Sequence, residues 1–291
     1  MLVFLFEGCV FLPLNIDPMK KHVYLMFLFF ALCGMTRAQN FYVRLGVGVS
    51  GGISSNVDLL YSYSGNGSQR MISVVPLALG RGFTGVAAFG YKPSKYFGVE
   101  LGISQFLGFP KEADSVISLP GAGATEATVA GTMLALNPAI VLSPGFRYIN
   151  PYARIGFILG IRPTINATGE YRNASMNPPD ESKAIRHFYG GVAVGLNAAL
   201  GVTWKVSNNV GLFAEFAFSN LNYSPRYSEV TWYEKNGVDQ LSSLTVKQKN
   251  TEYYSNIDPD EVIPDTSPDK QLRKNVPFSN AGVNIGVSFS F

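Results

Sequence analysis

From Gln39 to Phe291 apolar residues recur at every second position in eight separate segments, and beyond residue 38 no run of about eighteen apolar residues occurs. Period two is the signature of a strand, because successive strand side chains point to opposite faces. The first segment is the clearest: Phe41, Val43, Leu45, Val47 and Val49 share one face, and Tyr42, Arg44, Gly46, Gly48 and Ser50 the other. The others are Gly82–Lys92, Tyr96–Leu107, Met133–Leu142, Pro151–Ile161, Tyr189–Trp204, Val210–Phe218 and Ala281–Phe291. None of their apolar faces carries Asp, Glu, Lys or Arg, the condition for facing lipid. A membrane protein built of helices is excluded.

Alternation also describes a soluble sandwich with one wet face, so the connections decide. Lys92-Pro93-Ser94-Lys95, Ser143–Asn150 and Val206-Ser207-Asn208-Asn209 are short, whereas 51–81, 108–132, 162–187 and 224–280 are long. Strict alternation of short turns with long loops predicts an all-β fold, a transmembrane antiparallel up-and-down barrel of about eight strands with four extracellular loops and both termini periplasmic. Aromatics collect at the short-turn end, where Tyr91, Tyr96, Tyr152 and Trp204, with Phe41, Phe97 and Phe291, are expected to form a girdle. Pro138 removes a ladder donor, so a bulge or local irregularity is expected there.

Ahead of the barrel, Met19 opens a secretory signal over residues 19–38: Lys20 and Lys21, an apolar run from Val23 to Leu32, and the small-x-small cleavage site Thr36-Arg37-Ala38. Residues 1–18 then read as upstream translation from a misassigned start, and the domain proper is 39–291. Cys9 and Cys33 both precede the cut, so the exported chain uses no thiol chemistry, and Leu32 beside Cys33 argues against lipidation. A net charge of +3 without a basic stripe gives no footprint for nucleic acid.

The segments FYVRLGVGVSGG, FGVELGIS, PYARIGFILGI and the terminal VNIGVSFSF resemble small bacterial outer-membrane barrels of the OmpA transmembrane-domain and OmpX type. That resemblance implies an outer-membrane location among lipid and lipopolysaccharide, and recognition of the terminal strand, with Phe291 and Phe289, by the barrel-assembly machinery.

Four charges fall on the inward faces. Arg44, Glu100, Arg154 and Glu215 each sit about four residues above the short-turn end of an upward strand, so they are expected at one level with alternating sign. Opposite charges in a narrow bore pair because an isolated one there costs several kcal/mol. A salt-bridged plug is the expectation, and a gate that exchanges partners, making a small diffusion pore, is the alternative. Neither a cofactor nor a metal nor a catalytic set is expected. Gly46–Gly51 fits the Gly-x-Gly-x-x-Gly pattern but lies within a strand rather than opening a helix. A lipopolysaccharide-modifying enzyme is the remaining rival; it would have to use His187, which lacks a Ser two residues on. Asp258, Asp260, Glu261, Asp265 and Asp269 lack EF-hand spacing and read as a solvated acidic loop, while Tyr223, Tyr227, Trp232, Tyr233, Tyr253 and Tyr254 suit extracellular protein partners. The expected role is therefore non-enzymatic, structural or interactive.

Overall fold

The computed structural model describes residues 40–53, 61–64, 71–74, 78–113, 125–173, 179–273 and 275–291. The chain divides into two units, residues 1–39 and Asn40–Phe291; the first, with the expected secretion signal, lies outside the described residues, as does most of the first long connection.

Eight strands form the wall: β1 (Phe41–Gly52), β2 (Gly82–Tyr91), β3 (Phe97–Gly108), β4 (Thr125–Leu142), β5 (Ile149–Gly160), β6 (Ala193–Lys205), β7 (Val210–Tyr223) and β8 (Asn280–Ser290). Each pairs antiparallel with its neighbours along the chain. β8 then returns to β1, from Tyr42 opposite Ser290 to Gly52 opposite Asn280, and closes the ring. Closure leaves no strand edge exposed, which is what permits a sheet to cross a layer that offers no water to its backbone.

Side chains obey the alternation. Val47, Ile155 and Leu200 stand outside at 64%, 61% and 69% exposure, while Tyr42, Arg44, Glu100, Arg154 and Glu215 are buried inside. An apolar surface running right round a protein is far larger than water-soluble monomers display, and lipid is its natural solvent. The short connections are tight: the Ser94 hydroxyl accepts from the Tyr96 and Phe97 amides, and the Ser207 hydroxyl accepts from the Val210 amide.

Of two expectations about the wall, the irregularity at Pro138 is present as a gap and the start of the sixth strand is corrected. At Pro138 no bulge forms: β4 keeps a single register against β3, with Leu101 opposite Pro138, and a single register against β5, from Leu136–Leu159 to Ala139–Gly156. The missing donor appears as a gap at residues 137 and 138 of the β5 ladder. The sixth strand does not begin at Tyr189. The chain turns at Gly190 and Gly191, with φ of +78° and +81°, and β6 starts at Ala193. Two successive left-handed residues break the alternation that sequence alone reads through.

The described residues of the last three long connections add further sheet. β4 continues beyond the wall, where residues 125–132 pair with Thr164–Asn173. From there Asp180–Tyr189, Tyr227–Lys235, Asn250–Tyr254 and Asp269–Leu272 add in turn, the last one parallel. At the mouth below this loop sheet, Leu79, Phe106, Val129, Met133, Ile158, Ile165, Leu221, Tyr223, Val276 and Phe278 pack as an apolar core.

The outward wall supplies a discriminating test. Leu200→Arg, near the middle of β6, is expected to destabilise the barrel in lipid vesicles by about 2–4 kcal/mol, measured by denaturant unfolding. In a water-facing sandwich the same change would be nearly neutral.

Candidate functional site

Arg44, Glu100, Arg154 and Glu215 stand on β1, β3, β5 and β7, every second strand of the ring, and all four point inward. The structure brings them into one closed circuit. Arg44 reaches Glu100 at 3.2 Å and Glu215 at 2.8 Å; Arg154 reaches Glu215 at 2.8 Å and Glu100 at 3.6 Å. Two cations and two carboxylates make the circuit neutral as a whole, so no net charge is buried. The Arg154–Glu100 edge is the loose one: Glu100 Oε1 and both arginine Nε atoms have no hydrogen-bond partner.

Tyrosines lock the geometry. The Tyr42 hydroxyl donates to Glu100 at 3.0 Å, and the Tyr152 hydroxyl donates to Glu215 at 2.8 Å while accepting from Arg44 at 2.7 Å. Asn284 donates to Glu215 at 3.0 Å, and the Arg44 guanidinium lies 4.0 Å from the centre of the Phe213 ring. The arrangement approximates a twofold: Tyr42-x-Arg44 on β1 is answered by Tyr152-x-Arg154 on β5, four strands round the ring. Gly90 on β2 and Gly201 on β6 make room for the two phenol rings, since a Cβ at either place would overlap Tyr42 or Tyr152. At the short-turn mouth the Lys92 amine lies 4.8 Å from the Tyr42 ring centre, and burial, with Arg44 beyond, lowers its pKa.

Above this circuit lies a cavity of about 60 Å³ walled by Ser104, Asn137, Asn197, Ser219 and Asn284 among others. Asn137 Oδ1 and Asn197 Oδ1 are buried there without a hydrogen-bond donor. The space is large enough for water, which suits those orphaned acceptors. Above the cavity the apolar core takes over, with Phe278 against Phe106 and Tyr223 at ring separations of 6.3 Å and 6.0 Å. The lumen is thus ionic, then polar, then apolar along its axis.

Tyr91, Tyr96 and Trp204 stand exposed at the short-turn end, and Phe41 packs on Tyr91 at 4.9 Å. Tyr152 does not join them. It is buried in the lumen, because the parity that turns Arg154 inward turns Tyr152 inward as well. Phe289 and Phe291 are outward at the closing seam, where the Phe291 amide donates to the Phe41 carbonyl at 2.9 Å. Aromatics also gather at the other end, at the long-loop mouth. Phe83 meets Phe109 edge-on at 4.8 Å, and Tyr189 lies 5.7 Å from Tyr227.

The other sequence candidates find ordinary partners. His187 Nδ1 is 2.6 Å from Asn166 Oδ1, and the imidazole stacks on Tyr189; among the described residues no Ser or carboxylate is hydrogen-bonded to it. Within the acidic loop Asp258 accepts from the Asp260 amide and Glu261 pairs with Lys270, and among the described residues no group of His, Cys, Asp and Glu is placed to hold a metal. Gly46 and Gly48 lie inside β1, beneath Phe213 and Asn284.

A closed ring of eight antiparallel strands, apolar outside and with an ionic circuit inside, defines a small transmembrane β-barrel, the class that the sequence segments resemble. No protein-family model matches the chain, and no curated protein matches it. Among solved structures it is similar to Neisserial surface protein A (NspA), at 12% identity over 86% of this chain and 97% of that one, TM-score 0.35. It is also similar to Ail, the attachment invasion locus protein of Yersinia pestis, at 10% identity over 87% and 100%, TM-score 0.29.

Removing one member of the circuit strands another. Arg154→Ala is expected to cost about 3–5 kcal/mol in denaturant unfolding, because Glu215 loses a partner it was desolvated to meet. Arg154→Met combined with Glu215→Met leaves the Arg44–Glu100 pair intact and should recover most of that loss. Gly90→Val should lower the melting temperature by forcing Tyr42 away from Glu100, and Gly201→Val should do the same through Tyr152.

Proposed function

We propose that this protein is a non-enzymatic barrel of the bacterial outer membrane, its short turns and termini in the periplasm, that holds an ordered β-sheet at the cell surface and conducts little or nothing. The observation that carries this reading is the doubly closed lumen: a neutral ionic circuit near one end and an apolar core at the other, with only a small polar cavity between. A wall so filled serves as a mount. The long loops then supply the working surface, since they form a sheet of their own on the extension of β4. On this reading Phe291 and Phe289 are the assembly signal, the aromatics at the two ends lie at the two membrane interfaces, and extracellular proteins or lipopolysaccharide meet the loop sheet.

A second reading, a small diffusion pore, is favoured only by the cavity of about 60 Å³ in the polar layer. Planar-bilayer recording separates the two. The wild type is expected to show no steps above bare lipid, and Arg154→Ala to stay silent as well, because the apolar layer around Phe278 is untouched. A steady ohmic step from the wild-type protein would replace the mount with the pore.

A further inference from the structure

Among the described residues, one face of the loop sheet is buried. On that face Val230, Ser228, Thr251 and Tyr253 are buried, and Arg186 donates to the hydroxyls of Ser228 and Thr251 at 3.1 Å and 2.9 Å. Among the described residues the other face is half-exposed, and its register makes it a continuation of the lipid-facing wall. Leu136 and Leu134 face outward on β4, and Thr132 and Ala130 follow on the same side. Directly paired residues share a face, so Ala130 leads to Asn166, Asn166 to His187, and His187 to Glu229. One step nearer the wall, Tyr189 faces Tyr227, and Tyr227 faces Glu252. Tyr254 lies on the same side and donates to Glu252.

The outcome is a strip of flat aromatic groups at the rim of the membrane wall. Tyr189, Tyr227 and Tyr254 are 38%, 43% and 40% exposed, and the Tyr189 ring lies 5.6 Å from that of His187 and 5.7 Å from that of Tyr227. A bulge extends it. The register of Tyr227–Lys235 shifts between Ile185 and Arg186, so that Trp232 pairs with Ile185 and comes onto the same face as Tyr189. Amide and carboxylate groups are interleaved with the aromatics: Asn166, Glu229 held to Lys249 at 3.3 Å, and Glu252.

We propose that this face docks against the sugar headgroups of glycolipid in the outer leaflet, an inference that rests on the membrane-barrel reading above. Continuity with the lipid-facing wall selects a ligand anchored in the same bilayer. Aromatic faces bordered by carboxylate and amide oxygens fit a pyranose ring, which offers C–H groups on its flat side and hydroxyls around its edge. Near neutrality of the strip, with Glu229 already paired, favours the sugar over the lipid phosphates. Tyr189 and Tyr227 stack on the sugar, and Asn166 and Glu252 accept from its hydroxyls.

Hydrogen exchange on the full protein in nanodiscs tests this, comparing phosphatidylcholine discs with discs that also contain rough lipopolysaccharide. Amides of residues 185–189 and 227–230 are expected to exchange at least about ten times more slowly in the lipopolysaccharide discs. Tyr189→Ala with Tyr227→Ala should abolish the difference, whereas Tyr189→Phe with Tyr227→Phe should keep it. Equal exchange in the two discs, or full slowing in the double alanine variant, overturns the proposal. So does full slowing by the delipidated core oligosaccharide in phosphatidylcholine discs, which would make the ligand a soluble glycan. Protection of β1 to β8 in both discs reports the barrel independently, so a chain that fails to insert condemns the membrane reading and not the docking face alone.

Discussion

A sheet that crosses a layer without water must satisfy every backbone amide and carbonyl within itself, and closing the ring is how this chain does it. Once β8 pairs with β1, no strand can slip by one residue without turning its whole apolar face into the lumen. Parity is therefore locked for all eight strands together. The outward row is left to lipid, and the inward row must fill a narrow bore with whatever the sequence places there.

What it places there is stratified. Charges come first, and they are tolerable because two arginines and two glutamates alternate round the ring and each arginine bridges both acids. The paired Tyr-x-Arg strands, β1 and β5, give the circuit its near-twofold form, and small residues on β2 and β6 leave the space the tyrosines occupy. Amides and hydroxyls follow, then aliphatic and aromatic groups that resemble the interior of a soluble protein. Placing the apolar core at the mouth with the long loops gives the loop sheet something to pack on, since Val129 and Ile165 belong to both.

Much of this was legible in the sequence because period two is a strong signal wherever one face must be free of charge. The eight segments, the short turns and the four inward charges all follow from it. Tyr152 belongs to the lumen and not to the girdle, because its parity with Arg154 outranks its residue type. Tyr42 stands in the same relation to Arg44, and the repeated Tyr-x-Arg is the sequence signal that marks both. The start of β6 was misjudged because glycines at 190 and 191 read equally well as lumen-facing strand residues until their positive φ is known. The loop sheet was not legible at all. Its pairing is between segments from three different connections, and its strands mix aromatic, acidic and basic residues on both faces, so no local alternation announces it.

The seam between β1 and β8 has a kinetic consequence. Its pairs join Tyr42 to Ser290 and Gly52 to Asn280, contacts about as remote in sequence as this chain can make, and every one waits on the final strand. Loop closure over such a span is slow, and until it happens both edge strands present unpaired backbone to any neighbour. The chain therefore spends its most vulnerable interval with seven strands in hand and the eighth still to arrive, and that interval is where a folding helper would act most usefully.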